Sequence, residues 1–456
     1  MNTTPGPKSY TLGLRNAWRM STRTLDFLSL MRDEYGDVAR LTIFNRPWFV
    51  LSHPDDIETC LVKQSKVMVR DQYVEILKRT LGLGLLTNDG EDWKRQRKLM
   101  ARAFTPRRIK NDGETMAAVG DRSLRGFHEQ QEINIHQEMS RVTMEVVAEV
   151  LFGTGVDPAE VDVVRDSMET INEFYANSPE AVLMVPEWVP TPRNFRVRKS
   201  VRAIDGVIYR IIADRRAGPV RDDFLGTLLK AQDDGGTGMN DQQLRDEAIT
   251  LFLAGHETTA LALAATFYLL AQNPAVEERL YEEVRHVLDG RLPTASDVKD
   301  LPYAGRVLKE AMRIYPPAWT TGREAAEDVE IGGHHVPKGS QIMTSQWVVH
   351  RDPRWFPNPL AFDPDRWEDE SAIPRYAYFP FGGGPRVCIG NHFAMMEATL
   401  LLAISMQRYH YELLPNQTLE FDPAVTLRPK GPGLRMRVHE RPALARSIRP
   451  PQRQSA

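Results

Sequence analysis

Cys388 stands in the run Phe381-Gly382-Gly383-Gly384-Pro385-Arg386-Val387-Cys388-Ile389-Gly390. Glycines let a backbone turn tightly and approach a flat partner without side chains in the way. An apolar run begins at Ile389, so the cysteine lies at the mouth of a helix, where free N–H groups and the helix dipole favour a thiolate. Arg386 adds a fixed positive charge that can fork onto a carboxylate. Together these residues describe a guarded thiolate facing a large ligand that carries carboxylates. The only other cysteine is Cys60. A zinc site would therefore need other ligand types, and a Cys60–Cys388 disulfide is not expected in an intracellular chain so poor in cysteine. Cys60 reads as a small buried hydrophobe.

A second chemical cluster is Ala254-Gly255-His256-Glu257-Thr258-Thr259, inside an apolar stretch. Gly255 costs a helix on the order of 1 kcal/mol relative to alanine. Threonine hydroxyls can bond back to helix carbonyls and bend the helix locally, leaving a groove. Position 260 is alanine, so the second histidine of a zinc-protease H-E-x-x-H helix is missing. Two further pairs share helix faces: Trp93 with Arg97, four apart, and Glu310 with Arg313, three apart.

The elements that must position these residues can be read in order. A helix is predicted over Leu25–Tyr35, ended by Gly36. A hairpin is predicted from Val38–Ile43 and Trp48–Ser52, and Pro54 opens a short helix that carries Cys60. Met68–Asn88 reads as an apolar loop that covers something. Gly90 starts a helix with acids at its head, and Thr105-Pro106 caps the next. The pattern to Lys230 is helical, broken at Gly153-Thr154-Gly155, Pro186–Pro192 and Gly218-Pro219. Asn240 or Asp241 caps a helix that runs to Gln272, about 48 Å long at ~1.5 Å per residue, and Asn273-Pro274 ends it. A helix is predicted over Tyr303–Tyr315, followed by strands at Val329–Ile331, His335–Pro337 and Ile342–Met343. Phe356–Tyr378 reads as an ordered loop. After Cys388 a helix reaches about Tyr409, and Val425–Val438 reads as a last hairpin around Pro429-Lys430-Gly431-Pro432-Gly433. The fold class is mainly α with small β-sheets, as one domain over 1–456. It has β-rich regions at about 38–52, 325–345 and 425–438, and loose tails at about 1–10 and 441–456.

The 58 basic and 61 acidic residues leave a net charge of −3, and no long basic run suggests nucleic acid. Residues 1–8 contain no apolar core of a secretory signal. Thr250–Ala271 is apolar and long enough to cross a bilayer, but Glu257 and its polar neighbours argue for a buried helix instead. No integral membrane segment is expected, and the location expected is the cytoplasm.

Phe381, Gly384, Arg386, Cys388 and Gly390 fill the haem-loop pattern F-x-x-G-x-R-x-C-x-G, and with it the chain resembles the cytochrome P-450 family. Ala254–Thr259 resembles the family's oxygen-binding helix motif, and Glu310-x-x-Arg313 its E-x-x-R pair. Phe362-x-Pro364-x-Arg366-Trp367 is similar to the segment supplying a second arginine. The match runs from about Pro5 to Glu440, and its form is that of a soluble bacterial member. The resemblance implies haem b, held between the long helix and the helix after the Cys loop. Cys388 is then the axial thiolate, and Arg386, with Trp93, Arg97 and Arg323, holds the propionates. Phe381 shields the sulfur, while Gly382, Gly390, Ala254 and Gly255 line the cofactor. Thr258 donates to dioxygen at the haem, and Glu257 helps supply protons through the groove at Gly255. Glu310, Arg313 and Arg366 form a buried triad bracing the loop.

The resemblance also implies a reaction. One oxygen atom of O2 enters a lipophilic substrate such as a fatty acid, terpenoid, steroid or polyketide-like molecule. Electrons come from NAD(P)H through a separate ferredoxin or flavodoxin with its reductase, docked near Lys94, Arg95 and Lys98. Substrate walls are expected from Met68–Leu86, Phe252, Leu253 and Ala254, from Ala318-Trp319-Thr320, and from Lys430-Gly431-Pro432. Trp319 is expected to narrow the space beside the haem. An intact Glu257-Thr258 pair argues against a peroxygenase, a non-oxidative rearrangement enzyme or a haem sensor.

Overall fold

The structure, a computed structural model, describes residues 4–8, 11–153, 158–177, 185–186, 188–218, 223–233, 235–431 and 433–442. Helices dominate it. The first half contains α1 Leu14–Thr22, α2 Thr24–Tyr35, α3 Pro54–Glu58, α4 Gln72–Leu81, α5 Gly90–Ala101, α6 Pro106–Leu124, α7 Ile135–Phe152 and α8 Pro158–Asn177. The second half contains α9 Pro192–Ala217, α10 Phe224–Lys230, α11 Asp241–Gln272, α12 Pro274–Leu288, α13 Pro302–Ile314, α14 Gln346–Val349 and α15 Asn391–Arg408. Local chemistry sets their ends. Thr105 and Thr191 accept first-turn N–H groups ahead of a proline. Asn240 and Gln243 close a capping box at the head of α11.

α11 runs unbroken through the middle of the molecule. It is long and apolar enough to cross a membrane, yet most of it is buried in protein. Its second half packs on α13, α15 and α7 in one core cluster that includes Leu263, Phe267, Leu308 and Leu401. Its first half shares another with α5, α7 and α9, through Leu99, Val147, Ile208 and Phe252. Gly255 lets α7 come close, because a Cβ there would lie 3.2 Å from Val147. The price of that glycine in helix propensity is therefore offset by helix–helix packing.

The strands β1 Val38–Ile43, β2 Arg46–Leu51, β3 Met68–Val69, β5 Thr321–Ala325 and β8 Gln341–Thr344 form one sheet, ordered β1-β2-β8-β5-β3. β4 Glu132–Asn134, β9 Tyr409–Leu413 and β12 Arg435–Glu440 form a second, ordered β4-β12-β9. Two hairpins complete the set: β6 Val329–Ile331 with β7 His334–Val336, and β10 Phe421–Pro423 with β11 Leu427–Pro429.

Several expectations are corrected. Met68–Asn88 contains α4, capped by the Asp71 carboxylate on the N–H groups of Tyr73 and Val74; the glycines at its end hide the helical period. Pro274, read only as the stop of α11, also starts α12. β4 and β5 are too short to show a period of their own. The last hairpin turns at Ala424–Thr426, not at 429–433, with Phe421 opposite Pro429, and the later strand β12 pairs with β9 and β4 instead. Residues 4–8 are not a loose tail: Arg40 N–H donates to the Pro5 carbonyl at 2.7 Å, pinning the segment to β1. The rest of the two expected tails, apart from Arg441 and Pro442, lies outside the described residues, as do Thr154-Gly155, Pro219 and Pro432. Arg441 donates its backbone N–H to the Arg408 carbonyl at 2.7 Å and its guanidinium to Glu277 at 2.7 Å, so that end is held too.

Two carboxyls are buried in this core without a cation. Glu247 of α11 takes the Leu85 N–H on one oxygen and leaves the other without a partner. Among the described residues, Glu397 of α15 has no aligned hydrogen-bond partner on either oxygen; the nearby Thr259 hydroxyl donates to the Gly255 carbonyl. Burial pushes each up to about 8. The folded chain then holds protons that the unfolded chain has released above about pH 4.3, so stability falls as pH rises from there to about 8. Denaturant melts across pH 5–8.5 should show Glu397→Gln removing part of that fall. The gap between variant and wild type should change by up to about 1.4 kcal/mol per pH unit; parallel profiles would contradict it.

Candidate active site

The loop before α15 folds on its own backbone. Cys388 N–H donates to the Phe381 carbonyl at 2.9 Å and Val387 N–H to the Gly384 carbonyl at 3.1 Å. Gly382 and Gly384 are left-handed, with φ +70 and +66. At Gly384 a Cβ would also fall 1.9 Å from the Leu61 carbonyl, so only glycine lets the loop seat on the Thr59–Lys63 turn. Gly390 is the N-cap of α15. The Cys388 thiol is accessible, yet burial raises its pKa, with the Gly390 N–H and Arg97 acting the other way. Such a sulfur faces an internal void. The Gly390 N–H at the helix mouth and Arg97 are the groups that favour its thiolate form. Cys60 is fully buried, its thiol pushed up to about 12 by burial.

Beside the loop is a concentration of cations. Arg386 pairs with Asp89, donates to the Asn88 carbonyl at 3.2 Å and lies 4.1 Å over the buried Trp93 ring. Arg97 follows Trp93 by one turn of α5 and is half-buried. Arg323 on β5 is buried, and among the described residues its guanidinium donates only to its neighbour's carbonyl, Gly322, at 2.7 Å. Sequence reasoning missed Arg70, which closes the group; its Nε is buried without a partner. Burial and the charges of Arg386 and Arg323 hold its pKa well below the usual range. A lone arginine just before the Asp71 cap was its one visible signal.

On α11, Ala254 is exposed and Gly255 and Thr258 half-exposed, although the helix is otherwise almost wholly covered here. Ile389, next to Cys388, packs against the core cluster that includes Phe252 and Leu253. Thr258 Oγ1 donates to the Ala254 carbonyl at 2.6 Å and Thr259 Oγ1 to Gly255 at 3.1 Å. Glu257 points elsewhere. It is buried, takes the Asn172 amide of α8 at 3.0 Å, and lies 2.5 Å from Arg428 Nε of β11, in contact but not aligned as a hydrogen bond. His256 and His136 nearby are kept neutral by burial, His136 at about 3. Arg428 is therefore the countercharge of Glu257. Neither Asn172 nor Arg428 carries a sequence signal.

The expected walls need revision. Phe252 stacks on Phe152 at 5.0 Å, facing α7. Trp319 is buried among Phe27, Met31 and Trp48, its Nε1 donating to the Ala424 carbonyl at 3.0 Å, so it anchors the hairpin tip rather than narrowing the void. Lys430 is at the far end of that hairpin, its N–H on the Glu420 carbonyl; the tip is Ala424-Val425-Thr426. The tip's Val425 is exposed.

Glu310 and Arg313 of α13 are both fully buried and bonded in a fork, 2.8 Å at each arm. Glu310 also accepts Trp367 Nε1 at 2.9 Å and Asp363 N–H at 3.2 Å, with Arg366 Nε at 3.4 Å. Arg313 donates to the carbonyls of His350, Pro359 and Ala361. His350 Nε2 in turn accepts the Phe379 N–H at 3.0 Å. The triad thus braces the segment leading into the loop rather than the loop itself.

The Cytochrome P450 family profile matches residues 5–436. The chain is 37% identical to cyclooctatin synthase of Streptomyces melanosporofaciens, over 90% of this chain and 91% of that protein. It is 32% identical to cyclooctat-9-en-7-ol 5-monooxygenase of the same organism, over 88% and 87%. Identity to pentalenene oxygenase of Streptomyces avermitilis is also 32%, over 88% and 90%. The chain belongs to the cytochrome P450 family, and it is an oxidoreductase of the haem monooxygenase type. The residues present fit haem: an accessible thiol at the head of α15, residues left uncovered on the otherwise buried α11, and a cation cluster with a buried guanidinium nitrogen that has no partner among the described residues.

Proposed function

We propose that this chain is a haem-thiolate monooxygenase of a cyclic terpenoid, acting on a C–H bond or alkene. One oxygen atom of O2 enters the product and the other leaves as water, with electrons from NAD(P)H. The observation that carries this reading is an accessible Cys388 together with Ala254, Gly255 and Thr258 left uncovered on α11, in a chain whose relatives are named for cyclooctat-9-en-7-ol and pentalenene. Haem b, bound through Cys388, supplies dioxygen activation. Arg70, Arg97, Arg323 and Arg386, with Trp93, hold its propionates. Phe381, Gly382 and Gly390 shape the thiolate side, and Ala254 and Gly255 the open side. Thr258 holds a proton at Oγ1, and Glu257, once its carboxylate turns from Arg428 and Asn172 and takes a proton from water, passes that proton on to replenish it. Residues 1–456 act as one domain in the cytoplasm.

A ferredoxin or flavodoxin with its reductase supplies the electrons. Its docking patch is smaller than three cations, because Lys94 pairs with Glu91 at 2.5 Å and Arg95 with Asp233 at 2.6 Å. A screen of cyclic terpenoids for spin-state shifts, followed by product analysis, tests the substrate class; no shift with any of them would remove it. Thr258→Ala should slow product formation by roughly 10²-fold or more while electron consumption continues and peroxide is released, since a positioned proton donor contributes roughly 10²–10⁴ in rate. Unchanged coupling would remove Thr258 from the mechanism.

A further inference from the structure

Between α4, α8 and α9 lies a cavity of about 140 Å³, its wall mostly apolar. Phe174, Tyr175 and two valines of α9 form that wall, and Arg79, Arg198 and Arg202 stand around it. No carboxylate is among the described residues that line it. The wall is fixed. Tyr175 hydroxyl is held by Thr80 at 2.7 Å and the Ile76 carbonyl at 3.1 Å, and Arg79 donates to the Val185 carbonyl at 2.5 Å. Arg198 and Arg202 are four apart on α9 and share a face. Among the described residues neither has an ion-pair partner. From Trp188 to Ile204 the sequence carries five cations and no acid, in a chain of net charge −3. The cavity also has a direction: two residues before Phe174, α8 presents Asn172 to Glu257 of α11. One side of α8 meets Glu257 of α11 and the other walls the cavity.

We propose that this cavity docks the anionic group, carboxylate or phosphate, of an otherwise apolar molecule on its way to the haem face. This deepens the monooxygenase reading and rests on it. Guanidinium groups fork onto carboxylate and phosphate oxygens, and an apolar wall strengthens such a pair by lowering the local dielectric. The volume suits a head group and a few carbons. It falls short of the ~300–1,000 Å³ of a whole ligand pocket, so the apolar body lies outside it, along Phe174.

The test compares holoenzyme with an Arg198→Ala/Arg202→Ala double variant by equilibrium dialysis against three probes of equal tail: dodecanoate, dodecyl phosphate and dodecanol. At least one anion should bind wild type ten-fold or more tighter than the alcohol, and the double variant should lose that advantage while keeping its affinity for the alcohol. A lysine double variant should keep part of it. Equal binding of anions and alcohol, or an advantage that survives the alanines, overturns the proposal. Sedimentation with phosphatidylglycerol against phosphatidylcholine vesicles separates the sources: arginine-dependent capture assigns a lipid head group, and its absence with tight soluble probes assigns a free molecule. Dialysis needs no turnover, so an anion advantage without any oxygenated product would leave the docking site standing and remove the monooxygenase reading alone.

Discussion

Glu310→Ala is expected to give protein without haem, not a slow enzyme. The carboxylate is the common acceptor of Arg313, Trp367, Asp363 N–H and Arg366 in a region with no solvent access. Its removal leaves the Arg313 guanidinium buried and uncompensated, a loss of roughly 3–5 kcal/mol. The Trp367 and Asp363 N–H groups lose their acceptor as well, at about 1–3 kcal/mol each. Against a total stability of about 5–15 kcal/mol, that is enough to loosen the 350–379 segment that delivers the Cys388 loop. Glu310→Gln keeps acceptor oxygen and shape but not charge, and should fall between. The measurement is haem-to-protein ratio after purification with haem supplied. A fully loaded alanine variant would show that the brace is dispensable.

Cys388→Ser should leave the fold intact while abolishing the thiolate signature. The loop is held by the Cys388 N–H on Phe381, by Gly384 against Leu61 and by the helix α15, none of which uses the sulfur. The stability change should stay within about 1.5 kcal/mol. The reduced carbon monoxide spectrum should lose the long-wavelength band a thiolate ligand gives, and oxygenation should drop to background, because electron donation from the sulfur is what favours O–O cleavage. A variant with the band unchanged would place the axial ligand elsewhere.

Much of this was legible in the chain because it is written in consecutive residues. The haem loop carries its glycines, arginine and cysteine within ten positions, and α11 announces both of its ends through Asn240 and Asn273-Pro274. What stayed hidden depends on pairing between distant segments. Arg70 reads as one arginine in an apolar stretch until the fold sets it beside Arg323 and Arg386. Asn172 and Arg428 acquire meaning only where α8 and β11 converge on Glu257. Trp319 was misplaced for a related reason. An indole goes where its ring is covered and its N–H is answered, and the sheet with the Ala424 carbonyl offered both.

The β10–β11 hairpin is only three pairs long, and it carries Val425 at its tip and Arg428 on its shaft. The tip is fastened by Trp319 and by the Leu427 N–H on the Pro317 carbonyl, the shaft by Glu257. The set of the exposed tip and the countercharge of Glu257 are therefore geared together on one small lever. A slip of one residue would turn alternate side chains to the opposite face and carry Arg428 away from its acid. Any change that shifts the tip thus acts on the electrostatics of the acid as well, and the two properties cannot be tuned as separate dials.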